Sequence, residues 1–132
     1  MAVYLATSQP VPTKDRSPLS IEPTAPESAA RLRQHFTLEH LYYVASHEGC
    51  GCGFITDQDQ GTDEDCADRA ASLSALHELV HETALLTPGA QLLVCFDGEE
   101  ETAPEHSRTL EDPDQLRVRW GDRILYSVLV RR

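Results

Sequence analysis

The sequence has few basic residues and no long apolar run. Its 11 Lys and Arg residues are outnumbered by 22 Asp and Glu, which gives a formal net charge of -11 at pH 7. Such a charge repels both the phosphates of nucleic acid and the anionic lipids of a membrane. No stretch reaches the roughly 18 apolar residues of a membrane helix, and residues 1–10 lack the basic start of a signal peptide. We therefore expect a cytoplasmic protein that binds neither nucleic acid nor membrane.

Cysteine and the common catalytic motifs are also scarce. The chain has four cysteines, and in a reducing compartment we expect them to be thiols or metal ligands rather than disulfides. No glycine-rich nucleotide-binding pattern and no G-x-S-x-G pattern is present. These absences exclude the simplest nucleotide-binding and acyl-transfer functions.

What is present predicts one α+β domain over residues 1–132, because a chain of this length sustains a single core. A strand at 2–7 precedes a proline-rich loop at 8–25, and Thr24 to Glu27 resembles a capping box for a helix over 28–36. A second strand is predicted at 41–46. We expect a two-layer domain with a mixed sheet of four to five strands and two helices packed on one face.

The second predicted helix has the clearest pattern in the chain. Thr62 to Asp65 forms a capping box with carboxylates in the first turn. The apolar stripe at helical spacing consists of Cys66, Ala70, Leu73, Leu76, Val80 and Ala84. The pattern ends at the turn residues 87–89. A strand at 91–96, a polar loop at 97–113 and a hairpin at 116–130, which turns at Gly121 and Asp122, complete the prediction.

The cysteine-rich segment Gly49-Cys-Gly-Cys-Gly53, which follows His47 and Glu48, is the first candidate for chemistry. Two thiols one residue apart can chelate a metal ion, and alternating glycines let the backbone approach a ligand closely. Cys50 and Cys52 could instead form a redox pair, or one of them could be a reactive thiol beside His47. The remaining interpretation is structural, with two small buried side chains at the end of a strand.

The thirteen letters YYVASHEGCGCGF, which run from Tyr42 to Phe54, resemble a segment of uncharacterised small bacterial proteins. The resemblance implies a bacterial origin. It brings no activity, cofactor or catalytic residue with it.

The second candidate is His77-Glu-Leu-Val-His81, which matches the H-E-x-x-H pattern of zinc hydrolases. Glu78 would then be the catalytic base, and a third zinc ligand could come from Glu99, Glu100 or Glu101. The structural alternative places both histidines at the margin of the helix's buried face. Cys50, Cys52, His77 and His81 could also combine into one mixed zinc site if the helix returns over the strand end.

A third segment, from Asp57 to Asp65, has the Asp spacing of a calcium loop, but its glycine and its twelfth residue do not fit. A solvated loop that caps a helix explains it better.

Three classes of function follow from the sequence. We favour a non-catalytic domain that acts through protein contacts or self-association, because short strands with unpaired edges suit association. A metal-binding or thiol-redox protein built on Cys50 and Cys52 is the alternative. A small zinc hydrolase that uses His77, Glu78 and His81 is the third.

Overall fold

A computed structural model describes residues 1–13, 16–57, 61–86 and 89–129. Six strands and two α-helices make up the domain, with short 3₁₀ turns at Gly51–Phe54 and Pro113–Gln115. In chain order the elements are β1 (Ala2–Thr7), β2 (Ser20–Pro23), α1 (Pro26–Leu32), β3 (His40–Ala45), α2 (Asp63–Leu86), β4 (Ala90–Cys95), β5 (His106–Leu110) and β6 (Ile124–Val128). The predicted α+β class is confirmed.

The six strands form one mixed sheet in the order β2-β3-β1-β4-β6-β5. All neighbours are antiparallel except β5 and β6, which run parallel. β3 and β4 pair with the two edges of β1, and the β1 side chains are buried along the whole strand because both faces of the sheet are covered there. The sheet therefore has two edges, β2 and β5, and more strands than the four to five predicted.

The helix α2 covers one face of the sheet. Its buried residues Leu73, Leu76, Leu79 and Val80 pack with the alternate residues Val3 and Leu5 of β1. Its start is held by the predicted capping box, in which Asp65 N donates to Thr62 Oγ1 at 3.1 Å and Thr62 N donates to Asp65 Oδ2 at 2.8 Å. The predicted apolar stripe is buried from Leu73 onward, whereas Cys66 is only half-buried and Ala70 is exposed.

The short helix α1 lies on the opposite face. Leu32 packs with Ala2, Tyr4 and Ala6, which are the β1 residues that point away from α2. The prediction of two helices on one face is therefore wrong, because β1 is apolar at every position and supplies a core to both sides. The predicted Thr24 cap is also wrong, since Ala25 is the N-cap without a side-chain bond and Pro26 begins the helix.

Two predicted irregular regions contain strands, and one predicted hairpin does not form. β2 lies inside the proline-rich loop predicted at 8–25, and β5 lies inside the loop predicted at 97–113. Within 116–129, only β6 is a strand, and Val118 makes an isolated bridge with Ile55. β6 pairs with β4 and β5 rather than with the 116–120 run, since Leu116 and Val118 are buried against the α2 side of the core.

Candidate functional site

The cysteine loop is held between β1, β3 and α2. Gly51 N donates to Met1 O at 2.9 Å, and Ser46 Oγ donates to Cys50 O at 2.6 Å. On the other side, His47 contacts α2 through a 2.7 Å hydrogen bond between its Nδ1 and Ser72 Oγ. Ser72 is fully buried, so this bond anchors the loop to the helix at a dry position.

The glycines of this loop are required by close packing. A Cβ at Gly53 would lie 2.1 Å from Ser46 Oγ, and a Cβ at Gly51 would lie 2.9 Å from Met1 O. Gly49 differs, because open space surrounds it and its φ of 81° places it in the left-handed region. The alternation therefore reflects a tightly fitted turn at Gly51 and Gly53.

The two thiols of the loop are neighbours. Cys50 Sγ accepts a hydrogen bond from Cys52 N at 3.4 Å. Met1 N lies 3.3 Å from Cys52 Sγ. Burial raises the pKa of Cys50 above its ordinary value of 9.0, although the Cys52 amide acts in the opposite direction. All four cysteines are free, and Cys50 and Cys52 are half-buried.

The predicted histidine pair lines a cleft. His77, Glu78 and His81 lie on α2 and face the segment 111–114 across a space of about 410 Å³. His77 Nε2 donates to Leu116 O at 2.9 Å, which leaves only its Nδ1 for another partner. That Nδ1 is 3.9 Å from Asp114 Oδ1. The three residues of the pattern thus lie at one surface. One ring nitrogen of His77, however, is already bound to Leu116 O and holds that segment on the helix.

Two of the three glutamates predicted as a third zinc ligand, Glu100 and Glu101, point elsewhere. Glu100 is buried on the α1 side of the sheet, where its Oε1 accepts a hydrogen bond from Tyr4 Oη at 2.7 Å. Glu101 lies 3.9 Å from Arg31 on α1. Because α2 covers the opposite face of the sheet, these side chains do not reach His77 and His81.

The mixed site predicted from Cys50, Cys52, His77 and His81 is not assembled. Over residues 1–13, 16–57, 61–86 and 89–129, no three His, Cys, Asp or Glu side chains are grouped to hold a metal ion. The cysteine loop contacts α2 at Ser72, whereas the histidines face residues 111–114. The calcium-loop pattern at 57–65 includes residues 58–60, which lie outside the described residues.

Glu100 forms a buried polar network that the sequence did not indicate. It is 3% exposed, and its Oε2 has no hydrogen-bond partner among the described residues. Burial raises its pKa, but the hydrogen bonds from Tyr4 and from the backbone outweigh burial and lower the pKa overall. The same contact and burial raise the pKa of Tyr4. Nearby Cys95 is inert, since burial raises its pKa to about 12.

The edge strand β5 is the most exposed regular element of the domain. Four of its five residues are exposed, and only Leu110 is buried. His106 N donates to Arg123 O and Leu110 O accepts from Leu129 N, so these alternate residues direct their backbone groups toward β6. The amides and carbonyls of Ser107 and Thr109 consequently point away from the sheet. In the described chain, no strand lies beyond β5.

A cation and an aromatic pair lie at this side of the sheet. Arg108, in the middle of β5, is exposed and forms no ion pair with any residue in the described ranges. Trp120 is 60% exposed and packs edge-to-face on Phe96, with ring centroids 5.4 Å apart. Phe96 follows β4, and Trp120 precedes β6, so the rings lie at the end of the sheet where β5 begins.

Comparisons with known proteins found no match among family models, curated proteins or solved structures. The resemblance of the segment from Tyr42 to Phe54 to small bacterial proteins stays a prediction. No helix of the described chain is long and apolar enough to cross a bilayer.

Proposed function

We propose that this domain acts through protein contacts and that β5 receives an extended segment of a partner protein as a seventh strand. The observation that supports this proposal is the outward direction of the backbone groups of Ser107 and Thr109. Unpaired strand edges bind extended peptides through main-chain hydrogen bonds, and side-chain contacts then select the sequence. The role we propose is non-catalytic.

The positive charge of Arg108 on β5 favours a partner segment with a negatively charged residue. Arg108 forms no ion pair with the described residues of a chain of net charge -11, and an extended segment placed beside β5 would have a side chain opposite it. A carboxylate at that position would form a charge-assisted contact, whereas a Lys or Arg would be repelled. The partner we propose is therefore an alternating segment that places one Asp or Glu opposite Arg108, without the many negative charges that a chain of net charge -11 would repel.

Self-association through the same edge is less favourable. Two copies that pair antiparallel, with Ser107 of one opposite Thr109 of the other, bring their Arg108 side chains face to face. Like charges directly opposite each other destabilise a strand pair. Arg108 thus acts against the homodimer and in favour of an acidic partner strand.

Thr109→Pro is the sharpest test, because proline removes an outward amide and places its ring in the space of the incoming strand. Short peptides are selected from a random display library on the wild-type domain, and their affinities are measured on both proteins. The proposal expects the selected peptides to carry Asp or Glu with alternating spacing and to lose at least ~10-fold in affinity on Thr109→Pro. Peptides that bind both proteins equally would overturn it.

Sedimentation equilibrium separates the two possible occupants of the edge. A monomer in the absence of peptide supports a heterologous partner. A wild-type dimer that Thr109→Pro converts to a monomer would replace the partner segment by a second copy. His106→Pro is the matched proline control, because it removes an inward amide that donates to Arg123 O and should destabilise the sheet itself.

A further inference from the structure

The loop between β3 and α2 places two half-buried cysteines one residue apart. The amide of Cys52 donates to Cys50 Sγ at 3.4 Å. A single residue, Gly51, separates them, and its amide is bound to Met1 O. The two cysteines therefore belong to one short, constrained turn that is partly open to small solutes.

The surrounding contacts fix this turn before any ligand arrives. Ser46 N and Ser46 Oγ both donate to Cys50 O, at 2.9 and 2.6 Å. Gly53 packs so closely on Ser46 that a Cβ would collide with it. Phe54, at the end of the turn, is fully buried in the α2 side of the core. A pair of ligands held in this way loses little conformational entropy when it binds an ion.

The number and type of ligands select the ion. Zinc takes four ligands, and calcium and magnesium take oxygen ligands. The described residues group no third His, Cys, Asp or Glu with these two thiols, and the neighbouring Met1 N, 3.3 Å from Cys52 Sγ, donates a hydrogen bond to that sulfur. Soft thiolate pairs favour the soft monovalent copper ion, which is stable with two sulfur ligands. We propose that Cys50 and Cys52 form a two-coordinate site for Cu(I).

The binding step balances without an electron donor or acceptor. Two S–H bonds break, two S–Cu bonds form, two protons leave to solvent, and copper stays in the +1 state. A soft metal ion can displace those protons, as thiolate sites generally do on binding.

The site is tested with Cu(I) itself, supplied anaerobically in competition with a chromogenic Cu(I) chelator. The wild-type domain should take up one equivalent and protect two thiols from alkylation. Cys50→Ser and Cys52→Ser should each weaken binding by at least ~100-fold, beyond the loss typical of an outer-shell change. Cys66→Ser is the matched control, because it removes a half-buried cysteine from the start of α2 and should leave binding unchanged.

A pH series on the unmodified protein provides a readout that folding defects cannot imitate. Because Cu(I) displaces thiol protons, the apparent affinity should rise as the pH rises. An affinity that does not change with pH would overturn the site, as would retention of Cu(I) by Cys50→Ser or its loss on Cys66→Ser. This inference is independent of the β5 proposal, since Cys50→Ser leaves β5 intact and Thr109→Pro leaves the cysteine loop intact.

Discussion

The two edges of the sheet differ in how they are protected. β2 has four residues, ends in Pro23, and follows a segment that Arg16 ties to Glu82 of α2 by a bidentate contact at 2.8 and 3.0 Å. β5 has five residues and no proline, and no described strand covers its outer side. Natural sheets usually block their edges with prolines, charges or short strands. The difference favours β5 over β2 as the edge that the proposed partner strand would join.

The largest expected effects come from the residue that anchors each edge. Ile21 of β2 is 5% exposed and Leu110 of β5 is 3% exposed, and each is the only buried residue of its strand. Ile21→Ala and Leu110→Ala should each lower the free energy of unfolding by about 2–4 kcal/mol, measured in urea. A cost below about 1 kcal/mol for Leu110→Ala would mean that β5 is not docked on the core as described.

Glu100 binds the segment that leads into β5 to Tyr4 of β1. Glu100→Gln weakens a charge-assisted contact to Tyr4 and should cost about 1–2 kcal/mol. Because the folded pKa of Glu100 lies below its ordinary value of 4.5, its contribution is complete above that pH and is lost as the pH falls through the lower folded value. Acid unfolding curves should therefore lose part of their pH dependence in the variant.

The exposed Glu99→Gln is the matched control for this experiment. It lies next to Glu100 in the chain but does not contact Tyr4, and it should leave the acid unfolding curve unchanged. An equal change in both variants would assign the effect to the general negative charge of the loop rather than to the buried contact.

Arg108→Glu should change binding more than stability. The side chain is exposed, so the free energy of unfolding should move by no more than about 0.5 kcal/mol. Affinity for the acidic peptides should fall about 10-fold at low salt, and basic peptides should become the better ligands. Unchanged peptide preference, measured by fluorescence polarisation, would remove Arg108 from the proposed specificity.

The smallest effect is expected at the protected edge. Glu22 is exposed on β2, the edge strand farthest from β5, so Glu22→Arg reverses a charge without contacting β5. Peptide affinity should remain within about twofold of the wild-type value. A larger loss would show that long-range charge, rather than a specific strand edge, governs binding.

The regular core could be predicted from the sequence, but the edges could not. β1, β3, β4 and α2 carry long apolar patterns, and each was predicted within a few residues of its observed bounds. β5 is different, because its sequence HSRTL has one buried residue and no alternation. Because four of its five residues are exposed, the sequence of β5 contains no hydrophobic periodicity that could predict a strand.

The candidate sites show the same division. The cysteine pair and the histidine pair were identified from residue type and spacing, yet their separation depends on where α2 crosses the sheet. The burial of Glu100 could not be predicted, since it is one of three consecutive glutamates and only the fold turns it toward Tyr4. Local patterns thus indicated the chemistry, and tertiary packing determined which groups meet.

Amide hydrogen exchange of β5 tests the central claim most directly. In the isolated domain, Ser107 and Thr109 should exchange fast, whereas Arg108 and Leu110 should be protected by their bonds to β6. With a selected acidic peptide at saturation, the account predicts that Ser107 and Thr109 become protected by at least ~10-fold. Unchanged fast exchange of both amides in the saturated complex would contradict strand addition at β5.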